Sequence, residues 1–194
     1  MPVTAPEIYP GCRTLVEELD GVVGCAATPE VTTRAVRDVL HELIEQGNIE
    51  LPVALRRPAP DSYARRLVYS SSDLGYTVLA MVWGPGQGTP LHDHAGMWCV
   101  EGVLDGRIEV TQYRLLERRG KRCRFEPQGA TTAGIGSAGR LIPPFDYHTI
   151  TNARPAEPSI TVHVYGGEMD HCTIFEPRGG GWYEEVPRQL TFSA

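Results

Sequence analysis

The stretch TPLHDHAGMWCVEGVLDG, residues 89–106, decides how this chain reads. It sets two of the six histidines, His92 and His94, one residue apart and just ahead of a strand-like run. Successive side chains of a strand alternate faces, so both imidazoles point one way and Asp93 the other. Two imidazoles a few ångströms apart form an incomplete metal site. Spacing alone leaves open a pair of surface histidines that merely share a face. Pro90 and the run GPGQGTP (84–90) read as a shaped approach to a barrel rim.

Working outward, 194 residues fit one domain, 1–194, and suffice to bury a core without a disulfide or metal. The chain is 41% hydrophobic and 22% charged, with a formal net charge of −6. The densest basic stretch, RLLERRGKRCR (114–124), reads as the solvated turn of a hairpin. Binding phosphate backbones needs a basic face, so no nucleic-acid partner is expected. No run approaches 18 apolar residues, so no membrane-spanning helix is expected. The five cysteines (12, 25, 99, 123, 172) are odd in number and form no CxxC pair. They point to a reducing, cytoplasmic setting rather than a disulfide framework. VVGC (22–25) looks like a lipoprotein cleavage box but lacks the basic and apolar segments of a signal peptide. A monomer or weak homo-oligomer is expected.

The first 47 residues read as helical. RTLVEELD (13–20) suits a short helix, and TPEVTTRAVRDVLHELIEQGN (28–48) a longer one. Thr28 caps it, Pro29 takes the first helical position and Gly47-Asn48 ends it. Val31, Ala35, Val36, Val39, Leu40, Leu43 and Ile44 recur at helical spacing, with His41 an ordinary helix residue beside them. PVALRRPAP (52–60) carries three prolines and cannot stay regular for long. Beyond it, strands are expected at 65–70, 76–84, 98–106, 107–116, 139–144, 148–153, 159–166, 172–177 and 183–192. Many short strands broken by turn signals predict a mainly β fold: a small antiparallel barrel or sandwich over 48–194 behind an N-terminal helical segment.

The histidine segment reads Gly86, five residues, His92-Asp93-His94, four residues, Cys99, six residues, Gly106. It resembles the first motif of the cupin superfamily, with cysteine where many cupins carry a glutamate ligand. LIPPFDYHTITN (141–152) resembles the second, with Phe145 where that motif usually has glycine. The resemblance implies His148 as the third metal ligand. Cysteine in place of glutamate is similar to the thiol dioxygenase branch, cysteine dioxygenases in particular, over roughly residues 60 to 192. SYARRLV (62–68) looks like the segment whose arginine grips the substrate carboxylate, which implies Arg65, with Tyr63 beside it, for substrate binding. TVHVYGGEMDHC (161–172) looks like the segment of the active-site tyrosine, here Tyr165, backed by His163 and by Thr161, where the family usually has serine. Cys99 stands where some members carry a cysteine joined to that tyrosine by a thioether.

What the resemblance implies is an iron(II) enzyme taking a small thiol and O2, with L-cysteine becoming cysteine sulfinate. Three neutral imidazoles leave the metal more positive than a two-histidine, one-carboxylate site does, which favours an entering thiolate. The planar guanidinium of Arg65 suits a carboxylate. Several alternatives stay open. Arg66 is adjacent, and a register error of one exchanges the two arginines. The thiol can be 3-mercaptopropionate. A cupin that binds a small molecule without turnover, or a zinc or nickel cupin, fits the histidines as well. Glu101, two residues beyond Cys99, shares its strand face if the strand is regular.

Overall fold

The computed structural model describes residues 8–193; the expected domain limits 1–194 reach past both ends of that span. Helices α1 (Arg13–Cys25) and α2 (Pro29–Glu45) lead into an otherwise β-rich chain. Its strands are β1 (Ala64–Ser71), β2 (Tyr76–Trp83), β3 (Leu91–His92), β4 (Cys99–Asp105), β5 (Arg107–Arg119) and β6 (Arg122–Gly134). They continue as β7 (Ala138–Leu141), β8 (His148–Asn152), β9 (Ser159–Tyr165), β10 (His171–Gly179) and β11 (Trp182–Gln189). The fold is mainly β with an N-terminal helical segment.

Two sheets divide the strands. One runs in the order β1-β2-β9-β4-β7; the other six close on themselves as β10-β11-β6-β5-β8-β3. The first sheet's inner strands β2 and β9 are buried on both faces, which explains the near-continuous apolar run of β2. Val78, Ala80 and Val82 pack in one cluster with Leu19, Leu40 and Ile44 of the helices. Leu79, Met81 and Trp83, on the opposite face, pack inward with Cys99, Ile150 and Tyr165. Burying a side chain such as Leu40 contributes about 1.5–3 kcal/mol. Gly102 lets α2 settle onto β4: a Cβ there would come within 2.9 Å of Ile44 Cδ1.

Helix α2 begins as its sequence predicts, with Thr28 accepting from the Val31 amide. Gly47, at φ +71, supplies the left-handed residue that lets the chain leave the helix. Val31, expected on the apolar stripe, is exposed; Thr32 and Thr33 take the buried places in that first turn.

The β region differs from expectation in three places. The basic stretch 114–124 is not merely a turn: β5 and β6 run through it and reverse only at Gly120-Lys121. β6 escapes sequence reading because most of its residues are exposed, so no alternation develops, and Pro127 and Gly129 imitate a loop. The strand expected over 139–144 ends at Leu141, before the Pro143-Pro144 pair. The strand carrying the two histidines is only two residues long, Leu91–His92, and His94 lies beyond its end.

Candidate metal centre

His92 and His148 face each other as a cross-strand pair of β3 and β8. Their ring centroids are 4.5 Å apart, and that of His94 lies 5.2 Å from the first and 5.0 Å from the second. Potential donor atoms of the three lie within 4.8 Å of one another. The two motif histidines converge, but strand alternation is not the whole reason. Asp93 Oδ1 accepts from the amides of Ala95 and Thr173, at 3.1 and 2.8 Å, and Ala95 adopts φ 52. That turn holds His94 against the site after the strand has ended.

The outer ring nitrogens fix how the imidazoles point. His92 Nδ1 lies 3.1 Å from the Pro90 carbonyl, His148 Nδ1 3.0 Å from the Asp146 carbonyl and His94 Nδ1 3.3 Å from Asp146 Oδ2. A carbonyl or carboxylate oxygen only accepts, so each Nδ1 carries the proton and donates it. Each Nε2 is then left with a lone pair. Burial drives His148 well below the ordinary imidazole range and His92 down to about 3, with the neighbouring histidines adding to both effects. These two rings are therefore neutral near pH 7.

His148 Nε2 is buried without a hydrogen-bond partner. An unpaired buried acceptor costs about 1–3 kcal/mol, so a structure that keeps one needs a reason. A divalent metal bound by three neutral imidazoles supplies it, and the residues fit such an ion. Three imidazoles accept several divalent metals, iron among them.

The sheet register brings a second set of groups beside this position. Cys99 stands opposite Tyr165, and Glu101 opposite His163. Trp83 Nε1 donates to Thr161 Oγ1 at 2.9 Å, Thr161 Oγ1 lies 2.8 Å from His163 Nε2, and His163 Nδ1 3.2 Å from the Tyr165 hydroxyl. Burial lowers His163 to about 3 and holds the Cys99 thiol and Tyr165 phenol well above their ordinary values. Glu101 Oε2 lies 3.8 Å from His148 Nε2 and 3.7 Å from His163 Nδ1. Burial pushes its carboxyl up to about 7.

A cavity of about 630 Å³ opens beside the histidines, with Arg65, Tyr63, Trp83, His92, His94 and Tyr165 among its lining. Arg65 faces it from β1. Its guanidinium donates to the carbonyls of Met169 at 2.7 Å and Thr191 at 3.1 Å. Arg66 turns the other way and donates to the Arg57 carbonyl, so of the two arginines it is Arg65 that lines this cavity. Tyr63 stacks on Trp83 with centroids 4.7 Å apart. Phe145, in the place of a motif glycine, is 79% exposed, so its bulk stays out of the site. His41 bonds to the Gly136 carbonyl and His171 to Asp170, both away from the centre.

Sequence reasoning missed Asp146. Its Oδ2 accepts from both the backbone and the ring of His94, and its carbonyl holds His148. The one available signal was an acidic residue two places before a candidate ligand.

The family model described as cysteine dioxygenase type I matches residues 57–178. The chain belongs to that family. Relatives include the cysteine dioxygenase type 1 of Danio rerio, 24% identical over 61% of this chain and 58% of its own length. That of Bos taurus is 22% identical over 73% of this chain and 78% of its own. The matched stretch thus spans under two thirds of the zebrafish protein. Among solved structures, a Thermus thermophilus protein is 21% identical, covering 60% of this chain and 94% of its own, with a TM-score of 0.45. A Klebsiella pneumoniae protein with a double-stranded β-helix domain is 22% identical, covering 62% and 86%, with a TM-score of 0.46. In this cysteine dioxygenase family member, the family match ends before β11 and before Thr191, whose carbonyl holds Arg65. Both helices also precede the matched stretch.

Proposed function

We propose that the protein is a non-haem iron(II) thiol dioxygenase that converts L-cysteine and O2 to cysteine sulfinate. One observation carries the reading: three imidazoles with fixed outer protons converge beside a cavity that also presents a buried arginine. His92, His94 and His148 would hold the iron, which supplies a binding place for thiolate and the activation of dioxygen. The reaction balances without another reductant, since the sulfur gains both oxygen atoms and the thiol becomes a sulfinic acid. The residues around it bind and orient.

Arg65 would receive the substrate carboxylate. Two of its five N–H donors are committed to the Met169 and Thr191 carbonyls, which hold the fork in place and leave the others free for an anion. Tyr63, stacked on Trp83, would form the adjacent wall. A substrate gripped at one end has its sulfur fixed relative to the histidines, and that positioning lowers the barrier. The row from Trp83 through Thr161 and His163 would set the Tyr165 hydroxyl, whose raised pKa keeps it a proton donor near pH 7. Cys99 and Tyr165 are cross-strand neighbours, the register that a thioether between them requires. The unpaired cysteines support a cytoplasmic setting.

Oxygen uptake by the iron(II)-loaded protein, offered L-cysteine and 3-mercaptopropionate side by side, tests the choice of thiol. Cysteine is expected to be consumed at least tenfold faster at equal concentration. Faster oxidation of 3-mercaptopropionate would reverse the substrate assignment and leave the reaction class intact.

A further inference from the structure

The cavity beside the histidines has a second cation in its wall. Arg188, on β11, lines it together with Arg65. We propose that the pair selects thiols carrying two carboxylates, Arg65 receiving one and Arg188 the other. The inference rests on the thiol dioxygenase reading above and widens its substrate class beyond cysteine.

Register and tethering bring the two arginines to one wall. Arg188 stands opposite Cys172 as a cross-strand pair of β10 and β11, and both residues line the cavity. Past the end of β11 the chain is tied back toward β1. The Leu190 amide donates to the Asp170 carbonyl and the Ser193 amide to that of Arg65, each at 2.7 Å. Thr191, whose carbonyl accepts from the Arg65 guanidinium, comes three residues after Arg188. Their Cα atoms are therefore no more than about 10 Å apart. Burial raises the Tyr63 phenol and the Cys172 thiol, and the positive charges of Arg65 and Arg188 both act against that rise.

The two cations differ in what they already hold. Arg65 is buried and spends donors on the Met169 and Thr191 carbonyls. Arg188 is exposed and makes no hydrogen bond or ion pair with any described residue. The chain carries a formal net charge of −6, so carboxylates are not scarce. Among the described residues lining the cavity, Asp61 is the one carboxylate, and it pairs with neither arginine. The carboxylate of cysteine occupies one arginine only, while a cavity of about 630 Å³ is of the size that takes much larger ligands. A second carboxylate on the thiol gains a charge-assisted contact at Arg188; a thiol without one gains nothing there. Arg188 lies beyond the matched stretch 57–178, so this selectivity belongs to the chain's own C-terminal segment.

Binding tests this without turnover. Succinate has two carboxylates and no sulfur; propionate has one carboxylate. Calorimetry on the zinc-loaded full chain is expected to show succinate binding about tenfold more tightly than propionate, an advantage that Arg188→Gln largely removes. The advantage should also shrink as salt is added, because the Arg188 contact is exposed. Equal affinity for the two acids, or an undiminished succinate advantage in Arg188→Gln, would overturn the proposal. In turnover by the iron(II)-loaded protein, Arg188→Gln should lower kcat/KM for mercaptosuccinate about tenfold more than for L-cysteine. Equal losses for both thiols would contradict it. The two claims separate cleanly. Oxidation of L-cysteine without any succinate preference leaves the dioxygenase reading standing and removes the role of Arg188. A succinate preference with no thiol oxidised removes the dioxygenase reading, and the thiol substrate class with it.

Discussion

Replacing His148 by alanine is expected to remove metal and turnover together. The residue is fully buried, its Nδ1–H is spent on the Asp146 carbonyl, and its Nε2 has nothing else to bind. Loss of one of three imidazoles opens the site and lowers affinity by several orders of magnitude, because His92 and His94 alone form an incomplete set. Turnover should fall at least a thousandfold and metal content, measured by mass spectrometry after desalting, to near zero. Folding should survive, since the deleted ring leaves behind no partner whose hydrogen bond is essential to the barrel. A folded His148→Ala protein that retains stoichiometric iron would show that the ion sits elsewhere.

The second large effect concerns Arg65. Arg65→Gln should lower kcat/KM for carboxylate-bearing thiols by about 10- to 150-fold, corresponding to the roughly 1.5–3 kcal/mol of a hydrogen bond to a charged group. A thiol without a carboxylate, such as cysteamine, should be affected little. The comparison is needed because Arg65 also braces the chain: its guanidinium holds the Met169 and Thr191 carbonyls, and its backbone pairs with Ser193. A purely bracing arginine would, when replaced, slow both kinds of thiol equally and lower the melting temperature. Arg65→Lys should recover part of the loss, because it keeps the charge without the planar fork.

Much of this site was legible because the chemistry sits on regular strands. Thr161, His163 and Tyr165 alternate along β9, and hydrogen bonds join their side chains in a row. The sequence also marked the three convergent histidines. Their mutual approach depends on features with no period. A two-residue strand pairs His92 with His148, and Asp93 and Asp146 pin the turns on either side. Asp146 stayed hidden because its partner His94 is 52 positions away in the chain. Arg65 was readable, yet its dependence on Thr191 was not, since a contact across 126 positions leaves no local trace. The same holds for β6, whose exposed residues had no buried face to impose alternation. Glu101 was visible as a strand residue two beyond Cys99, but its approach to His148 is a fact of packing alone.

The most direct test of the proposed chemistry is to run the iron(II)-loaded protein with L-cysteine under ¹⁸O₂ and weigh the product. The account predicts cysteine sulfinate in which both added oxygen atoms are labelled. Cystine with hydrogen peroxide, or a product carrying oxygen from water, would contradict it.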